Sequence, residues 1–514
     1  MSYLLLTGAT GLLGQYLLVD LLRSGRNVAC LVRSKPGADA RLRIDHQLRR
    51  WETQFGCALR RPVVLAGDLN CEHLGLAPSD AAWLRGHCGG VVHSAASLEF
   101  LENTKSGEPY RTNADGTSRL LAAAATFACR EFHLVSTAYV CGKSGGTITP
   151  RRIDEIQSFS NDYERSKAAA ERMTLASDTV GVVTIYRPSI IVGDSRTGYT
   201  STYQGFYAPL QAGHALAKAY GFLPTAGVPF LEQMNLCGEE TKNLVPVDWV
   251  SAVLTAIIER PAAHGRIYHV TNLHPVSVRE LDEIYTTAIA ESAPPPATAQ
   301  QVRVRSADDE REFRDKLAVY ATYFRDDPLF DASDTAAVAD LPCPEVDRTL
   351  LTMLCRRAIA DGFGRPRPRT APPEFDVAEI MKGLAAEKSV APPAARSAAF
   401  NLTVTGPGGG EWQVTTNDDQ AVGVTLGHGT PELPRAYLAV ATLQKVVLEE
   451  IDVDQSVRSG KLVLECVRGD DAARIKQSLR LLATALAVRY DVTAQVAPPL
   501  PLLEHASVPR EVAG

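Results

Sequence analysis

Residues 4–22 read LLLTGATGLLGQYLLVDLL. Residues 2–19 carry no charge, so the stretch superficially suits an export signal. It lacks a basic leader and a small-residue cleavage site followed by a new domain start. Tyr3–Leu6 has the length and apolarity of a strand buried in a parallel sheet. Thr7, Gly8, Thr10, Gly11, Leu12 and Gly14 make the turn that follows, and Gln15–Ser24 has leucines at helical spacing before a Ser24-Gly25 stop. Strand, glycine turn and helix form the context in which glycines admit a pyrophosphate to the backbone and a helix N-terminus attracts its charge.

The next strand, NVACLV at 27–32, ends at Arg33 and Ser34. An acidic residue there suits the ribose 2′-hydroxyl of NAD, and an arginine suits the 2′-phosphate of NADP. Arg33 is therefore a candidate phosphate ligand with Ser34 beside it. Arg43, in RLRIDHQLRRW (41–51), is a second candidate; the alternative for Arg41, Arg43, Arg49 and Arg50 is a solvated basic helix face. PVVLAGDL ends at Asp68-Leu69, GGVVHSAA ends at Ser94-Ala95-Ala96, and EFHLVSTAYVCG carries Ser136-Thr137. The alternation predicts an α/β fold, a Rossmann-type doubly wound parallel sheet with ligand groups at the C-terminal strand ends. Ala95 and Ala96 there suit either a close-lying cofactor or tight packing.

Tyr163 and Lys167 in SNDYERSKAAAERM are four apart and share one face of a predicted helix. A phenol is a weak acid near pH 7, and a neighbouring ammonium is expected to lower its pKa enough for proton exchange with a carbonyl or alcohol.

The glycine turn, Asn113 in RTNADGT, the Ser/Thr of VSTAYVCG and YxxxK come in the order of the extended short-chain dehydrogenase/reductase family, which residues 1–300 resemble. The resemblance implies that Thr137 polarises the substrate, Tyr163 donates the proton, Lys167 binds the ribose, and Asn113 is a structural and relay residue. YRPSIIVG (186–193) resembles the segment along the nicotinamide, which makes Pro188 and Ile190 cofactor contacts; LVPVDWV (244–250) resembles the segment that returns the chain to the core. The wording CLVRS…RIDHQLRRW, VVLAGDL…LGL, VVHSAA and LVSTAYVCG resembles the thioester reductase and fatty acyl-CoA reductase branch, in which Arg33 and Arg43 match paired NADPH-phosphate arginines. This implies NADP(H) as cofactor and an acyl thioester on CoA or a carrier protein as substrate, reduced to an aldehyde or alcohol. The same catalytic set would serve a ketone or alcohol such as a polyketide, a sterol or a sugar nucleotide. A non-catalytic NADP-binding scaffold has no need of Thr137, Tyr163 and Lys167 together.

At 514 residues the length suggests about three domains. Residues 1–375 are expected to form the reductase domain, with a small substrate subdomain mainly at 194–245 and 276–375. Tyr199, Tyr203, Phe206 and Tyr207 are candidates for an acyl channel or the ordinary core of a lid, and His214 is a weak candidate for substrate contact. Residues 376–399 read as a linker with a short helix, between RPRPRTAPPEF and SVAPPAARSAA. Residues 400–514 read as a separate α+β domain, with alternating strands and then helices carrying Leu479, Leu482 and Leu486 on one side. GPGGGEWQVT and DVDQSVRSGKLVLEC resemble sterol-carrier-protein-2-like domains, which implies an apolar or acyl ligand or an oligomerisation role such as a homodimer; a structural appendage is the alternative.

Net charge −6 gives no support to nucleic-acid binding. Ten cysteines without a CxxC pair read as reduced thiols, and eleven histidines show no metal-ligand motif, so no metal is expected. No apolar run approaches a membrane span of roughly 20 residues, and a cytoplasmic location is expected.

Overall fold

The computed structural model describes residues 2–35, 39–153, 157–220, 231, 236–292, 325–364, 375–386, 398–406, 408–416, 422–427, 433–465 and 470–496. The chain divides into two compact units, residues 1–51 with 60–369, and residues 52–59 with 370–514.

The first unit is built on a seven-stranded sheet. Its strands are β1 Tyr3–Thr7, β2 Val28–Val32, β3 Val63–Ala66, β4 Cys88–His93, β5 Glu131–Val135, β6 Val182–Pro188 and β7 Ile267–Val270. Their spatial order is β7-β6-β5-β4-β1-β2-β3, and every pairing is parallel. β2 and β4 are buried along their whole length because helices cover both faces of such a sheet. The strand order reverses at the β1–β4 seam, where Thr7 pairs with His93. A crevice opens beyond the carboxyl ends of strands at such a reversal.

Helix α1 (Leu12–Arg23) starts three residues earlier than the apolar spacing alone suggests, since Gly11 is its N-cap. Ser24 closes it, and Gly25 takes the left-handed φ of +90° that ends a helix. α2 is Ala40–Phe55, α3 Pro78–His87, α4 Gly116–Ala124 and α5 Asp162–Ala176. Asn161 caps α5 by accepting from the Glu164 amide at 2.9 Å, and the Glu164 carboxylate accepts from the Ser160 amide at 2.8 Å. This pair of capping bonds, a variant of the capping box, fixes the start of the helix that carries Tyr163 and Lys167.

A second apolar core gathers α6 (Tyr207–Tyr220), α8 (Val278–Ser292) and α10 (Arg348–Ala360), with Phe206, Tyr207, Leu210, Ile284, Tyr285, Leu351 and Leu354 at its centre, while α7 (Val247–Ile258) packs on α1 and α9 (Ser333–Ala339) on α7 and β7. Parts of the substrate subdomain expected at 194–245 and 276–375 lie outside the described residues.

The second unit has a five-stranded mixed sheet in the order β10-β9-β8-β11-β12, with β8 Ala398–Thr405, β9 Gly410–Thr416, β10 Val422–Leu426, β11 Arg435–Ala439 and β12 Leu462–Glu465. Helices α11 (Val377–Ala386), α12 (Val440–Val447), α13 (Val453–Arg458) and α14 (Asp471–Val496) accompany it. Leu479, Leu482 and Leu486 are buried with Phe400, Leu402 and Trp412. α11, expected within a linker, instead places Val377, Ile380 and Met381 in this core. Its apolar face explains why: a helix with three large apolar residues on one side lowers its free energy by burying them. Both proline-rich flanks, 365–374 and 387–397, lie outside the described residues.

Candidate active site

A cavity of about 590 Å³ lies at the carboxyl ends of the strands of the first unit. Its wall includes Thr7, Gly8, Thr10, Gly11, Leu12, Gly14, Arg33, Arg43, Asp68, Leu69, Ser94, Ala95, Ala96, Thr137, Tyr163, Lys167, Pro188 and Ile190. Ser34 and Asn113 are not in the wall.

The glycine turn leaves no room for side chains. A Cβ on Gly14 would stand 2.0 Å from the Gly8 carbonyl oxygen, and one on Gly8 would stand 2.6 Å from the Ala95 nitrogen. Gly8 also has a φ of +74°. Gly11 caps α1 with no side-chain hydrogen bond, so the first-turn amides face the cavity. This is a cradle for an anionic diphosphate.

Two arginines stand beside it. Arg43 donates to Thr10 Oγ1 at 2.9 Å and also to the Arg33 carbonyl oxygen. Burial and then the neighbouring Arg33 hold the Arg43 guanidinium below its ordinary pKa. Two neighbouring cations favour a bound anion. The basic run therefore splits, since Arg50 stacks on Trp51 and Tyr199 instead, 3.4 Å from the latter ring centre.

Asn113 is fully buried behind the wall. It accepts from the Ser97 amide at 2.8 Å and donates to the Ser97 carbonyl at 3.0 Å and to Ser166 Oγ at 2.9 Å. It ties the loop after β4 to α5. A second buried chain runs beside it. The Ala95 amide donates to Thr7 Oγ1 at 3.2 Å, Thr7 Oγ1 and His93 Nδ1 are 2.7 Å apart, His93 Nε2 and Thr117 Oγ1 are 3.0 Å apart, and Thr117 donates to the Asn113 carbonyl at 2.6 Å. Because Thr117 spends its hydrogen on that carbonyl, His93 Nε2 carries the ring hydrogen and Nδ1 accepts from Thr7. Burial, then the Lys167 charge, push His93 down to about 3, so the ring is neutral.

Thr137 caps the short turn Ala138–Cys141 and lies 3.4 Å from the Pro188 carbonyl. Lys167 Nζ donates to the Val135 carbonyl at 2.7 Å, and burial lowers its pKa to about 8. Tyr163 packs edge-on against Phe100. The expected depression of its phenol pKa is not found. Burial raises it, and the adjacent Glu164 carboxylate raises it further. The cause is desolvation of the phenolate, while Lys167 gives its hydrogen bond to the end of β5.

The wall also holds groups that the sequence reading did not single out. Lys242 pairs with Asp327, which accepts from Tyr139 Oη at 2.6 Å and from the Asn243 amide at 2.8 Å. Ser189 donates to Asn243 Oδ1 at 2.7 Å, which holds the YRPSIIVG segment in place. Residues 242 and 327 are far apart in sequence and no spacing rule joins them. Glu164 was open to recognition through its capping box.

Tyr199, Tyr203, Phe206, Tyr207 and His214 do not line the cavity. Phe206 and Tyr207 are core residues of the lid, and Tyr207 Oη accepts from the Gly193 amide at 3.0 Å. Their large apolar surface is buried against α8 and α10, so the acyl-channel expectation gives way to the lid-core alternative.

Residues 6–254 match the model of the family described as "Male sterility protein", an NAD-binding family. The matched stretch is just under half of the chain. The chain is similar to "Aldehyde reductase lnaA" of Aspergillus flavus, 30% identical over 282 residues, which is 52% of this chain and 25% of that protein. It is also similar to "Isonitrile lipopeptide synthase" of Streptomyces coeruleorubidus, 31% identical over 278 residues, 52% of this chain and 17% of that protein. The chain thus spans a quarter or less of the length of these relatives. Among solved structures, the terminal R domain of the myxalamid PKS-NRPS pathway superposes with a TM-score of 0.55 at 24% identity, over 72% of this chain and 93% of that one. That likeness establishes the fold. Among the described residues no helix is long and apolar enough to cross a membrane.

Proposed function

We propose that this protein is an oxidoreductase that uses NADPH to reduce an acyl thioester, carried on CoA or on a carrier protein, to an aldehyde or alcohol. The observation that carries the reading is one cavity wall holding the glycine cradle, Arg33 with Arg43, and the Thr137–Tyr163–Lys167 set. The similarity to an aldehyde reductase and a lipopeptide synthase supports a thioester over a sugar nucleotide.

In this reading the α1 amides and glycine turn hold the pyrophosphate, and Arg33 and Arg43 hold the 2′-phosphate. The nicotinamide supplies a hydride when bound. Thr137 and Tyr163 donate hydrogen bonds to the thioester carbonyl oxygen and so stabilise the negative charge that develops there. Tyr163 passes its proton to that oxygen, and Lys167 stabilises the resulting phenolate. One hydride and one proton thus give a hemithioacetal, which collapses to an aldehyde and a free thiol; a second hydride and proton give the alcohol.

For residues 400–514 the sterol-carrier-protein-2-like reading belongs to the same proposal, supported by the sheet with helices of the second unit. The unit would hold an apolar chain or join two copies in a cytoplasmic homodimer. Binding of a fluorescent fatty acid and the mass in solution check these two roles.

The deciding experiment supplies a panel of acyl-CoA and acyl-carrier thioesters, ketones and alcohols with NADPH or NADH. Mass spectrometry of aldehyde and alcohol products, alongside NADPH consumption, supports the reading if thioesters alone are turned over. Turnover of ketones without thioesters overturns it.

A further inference from the structure

At the end of the sheet opposite the cavity, β5 begins Glu131-Phe132-His133. Alternation along the strand puts Glu131 and His133 on one face. The turn entering β7 brings His264 to the same place. Glu131 Oε2 lies 3.4 Å from His264 Nδ1 and 3.7 Å from His133 Nε2. All the donor atoms lie within 4.8 Å of one another. Ligands on a tetrahedral zinc, with bonds of about 2.0–2.1 Å, stand roughly 3.3 Å apart.

The far nitrogen of each ring is already anchored. His133 Nδ1 is 3.0 Å from Tyr186 Oη, and His264 Nε2 is 3.2 Å from the Ile258 carbonyl. A carbonyl can only accept, so His264 Nε2 carries a hydrogen; in the neutral ring Nδ1 therefore turns a lone pair toward the carboxylate. A ligating histidine is typically oriented by such a bond from its other nitrogen. His133 Nε2 is buried and has no hydrogen-bond partner among the described residues. At 3.7 Å the carboxylate is too far to be one. A cation between these atoms would satisfy all of them. Arg26 also acts on Glu131, but its guanidinium is paired with Glu259, Nε to Oε1 at 2.9 Å.

We propose that Glu131, His133 and His264 form a structural binding site for a divalent first-row transition metal of the zinc kind. Two imidazoles and a single carboxylate suit zinc and its neighbours, and supply too few oxygens for magnesium or calcium. The Glu131 side chain is 21% exposed while His133 is 0% and His264 6%, so the metal enters from the Glu131 side and its fourth position faces solvent. None of these residues lines the cavity. The metal's work is to pin β5 to the segment entering β7, across β6, independently of the reduction.

The test uses the full-length chain, stripped with a chelator and titrated with Co²⁺, Zn²⁺ or Mg²⁺. The expected result is one bound Co²⁺ with visible d–d absorption and no thiolate charge-transfer band. Zn²⁺ displaces it and raises the melting temperature, and Mg²⁺ does neither. Glu131→Gln and His264→Ala should each weaken binding at least tenfold and erase the melting shift. NADPH-dependent turnover of the stripped protein should be the same with or without either substitution. The near-isosteric Glu131→Gln keeps the test valid should His264→Ala fold poorly. No stoichiometric Co²⁺ binding, a thiolate band, or undiminished binding in Glu131→Gln overturns the proposal.

Discussion

Lys167 Nζ donates to the Val135 carbonyl at 2.7 Å, at the end of the strand that leads into Thr137. The ammonium is thus held at the junction of β5 and the reacting groups. Burial lowers its pKa from 10.5 to about 8. In the proposed mechanism its positive charge stabilises the Tyr163 phenolate, so kcat/KM should fall as the pH rises through about 8. Stability moves the other way: between pH 8 and 10.5 the unfolded chain binds more protons at this group than the folded one, so its contribution to stability rises with pH across that window. A rate that falls while the fold holds separates the two effects. Lys167→Arg should move the break in the rate profile upward.

Tyr163 and Thr137 both lie on the cavity wall, and in the proposed reaction their hydroxyls meet the carbonyl oxygen. Burial raises the Tyr163 pKa, so its proton stays on until a substrate takes it. Tyr163→Phe should remove most turnover. Thr137→Val, which removes one oxyanion donor, should cost about 10²–10³ in kcat. Fluorescence titration should show NADPH binding nearly unchanged in both.

Arg33 and Arg43 share the rim of the glycine cradle, and the Arg43 guanidinium bonds the Arg33 carbonyl. A charge-assisted hydrogen bond contributes about 1.5–3 kcal/mol. Arg33→Ala should therefore raise the KM for NADPH by roughly ten- to a hundredfold. The KM for NADH, which lacks the 2′-phosphate, should change little. Arg43→Ala should do the same and also loosen Thr10, so its effect on NADH should be the larger of the two.

The parts of the first unit set by local rules were legible in the sequence. The apolar run of Tyr3–Leu6, the glycines at 8, 11 and 14, and the YxxxK spacing each act within a few residues, and the structure brings them to one cavity. What escaped depends on contacts between distant residues. The Lys242–Asp327–Tyr139 cluster joins positions with no common motif. The ring of His93 reads as one strand residue among apolar neighbours until Thr7 and Thr117 are placed on either side of it. The direction of the Tyr163 shift depended on burial, which spacing does not reveal. The aromatic run at 199–207 could fill a lid core or line a channel, and contacts with α8 and α10 place Phe206 and Tyr207 in the core.

His93 gives a stability dependence of the same sign as Lys167, in a more acidic window. Its pKa falls from 6.5 to about 3 in the folded state, so the unfolded chain takes up a proton that the folded one refuses. Stability from this group is complete above about pH 6.5 and is lost as the pH falls toward 3. A calorimetric scan of the first unit's transition should show acid destabilisation beginning below neutrality, and His93→Gln should flatten it. Asn113→Leu removes both anchors of Ser97 and leaves buried groups unpaired, at about 1–3 kcal/mol each. It should lower the melting temperature at all pH values and raise the KM for cofactor, because Ser97 follows the Ser94–Ala96 wall.

Glu171 and Arg187 form a buried ion pair, with side chains 0% and 3% exposed, that joins α5 to β6 one turn beyond Lys167. Arg187 also donates to the Arg151 carbonyl at 2.8 Å. Removing one partner strands the other charge out of water, which costs about 3–5 kcal/mol. Glu171→Gln should therefore destabilise the first unit strongly, and Arg187→Met similarly. The double substitution Glu171→Leu with Arg187→Met leaves no stranded charge, so it should recover much of that loss. Activity should follow a different order. Arg187 precedes Pro188, and Glu171 lies on the helix of Tyr163 and Lys167, so replacing the pair should disturb the cavity even where stability returns. A double mutant with restored melting temperature and reduced kcat is the expected outcome. Equal recovery of both would mean that the pair holds the fold together without positioning the catalytic helix.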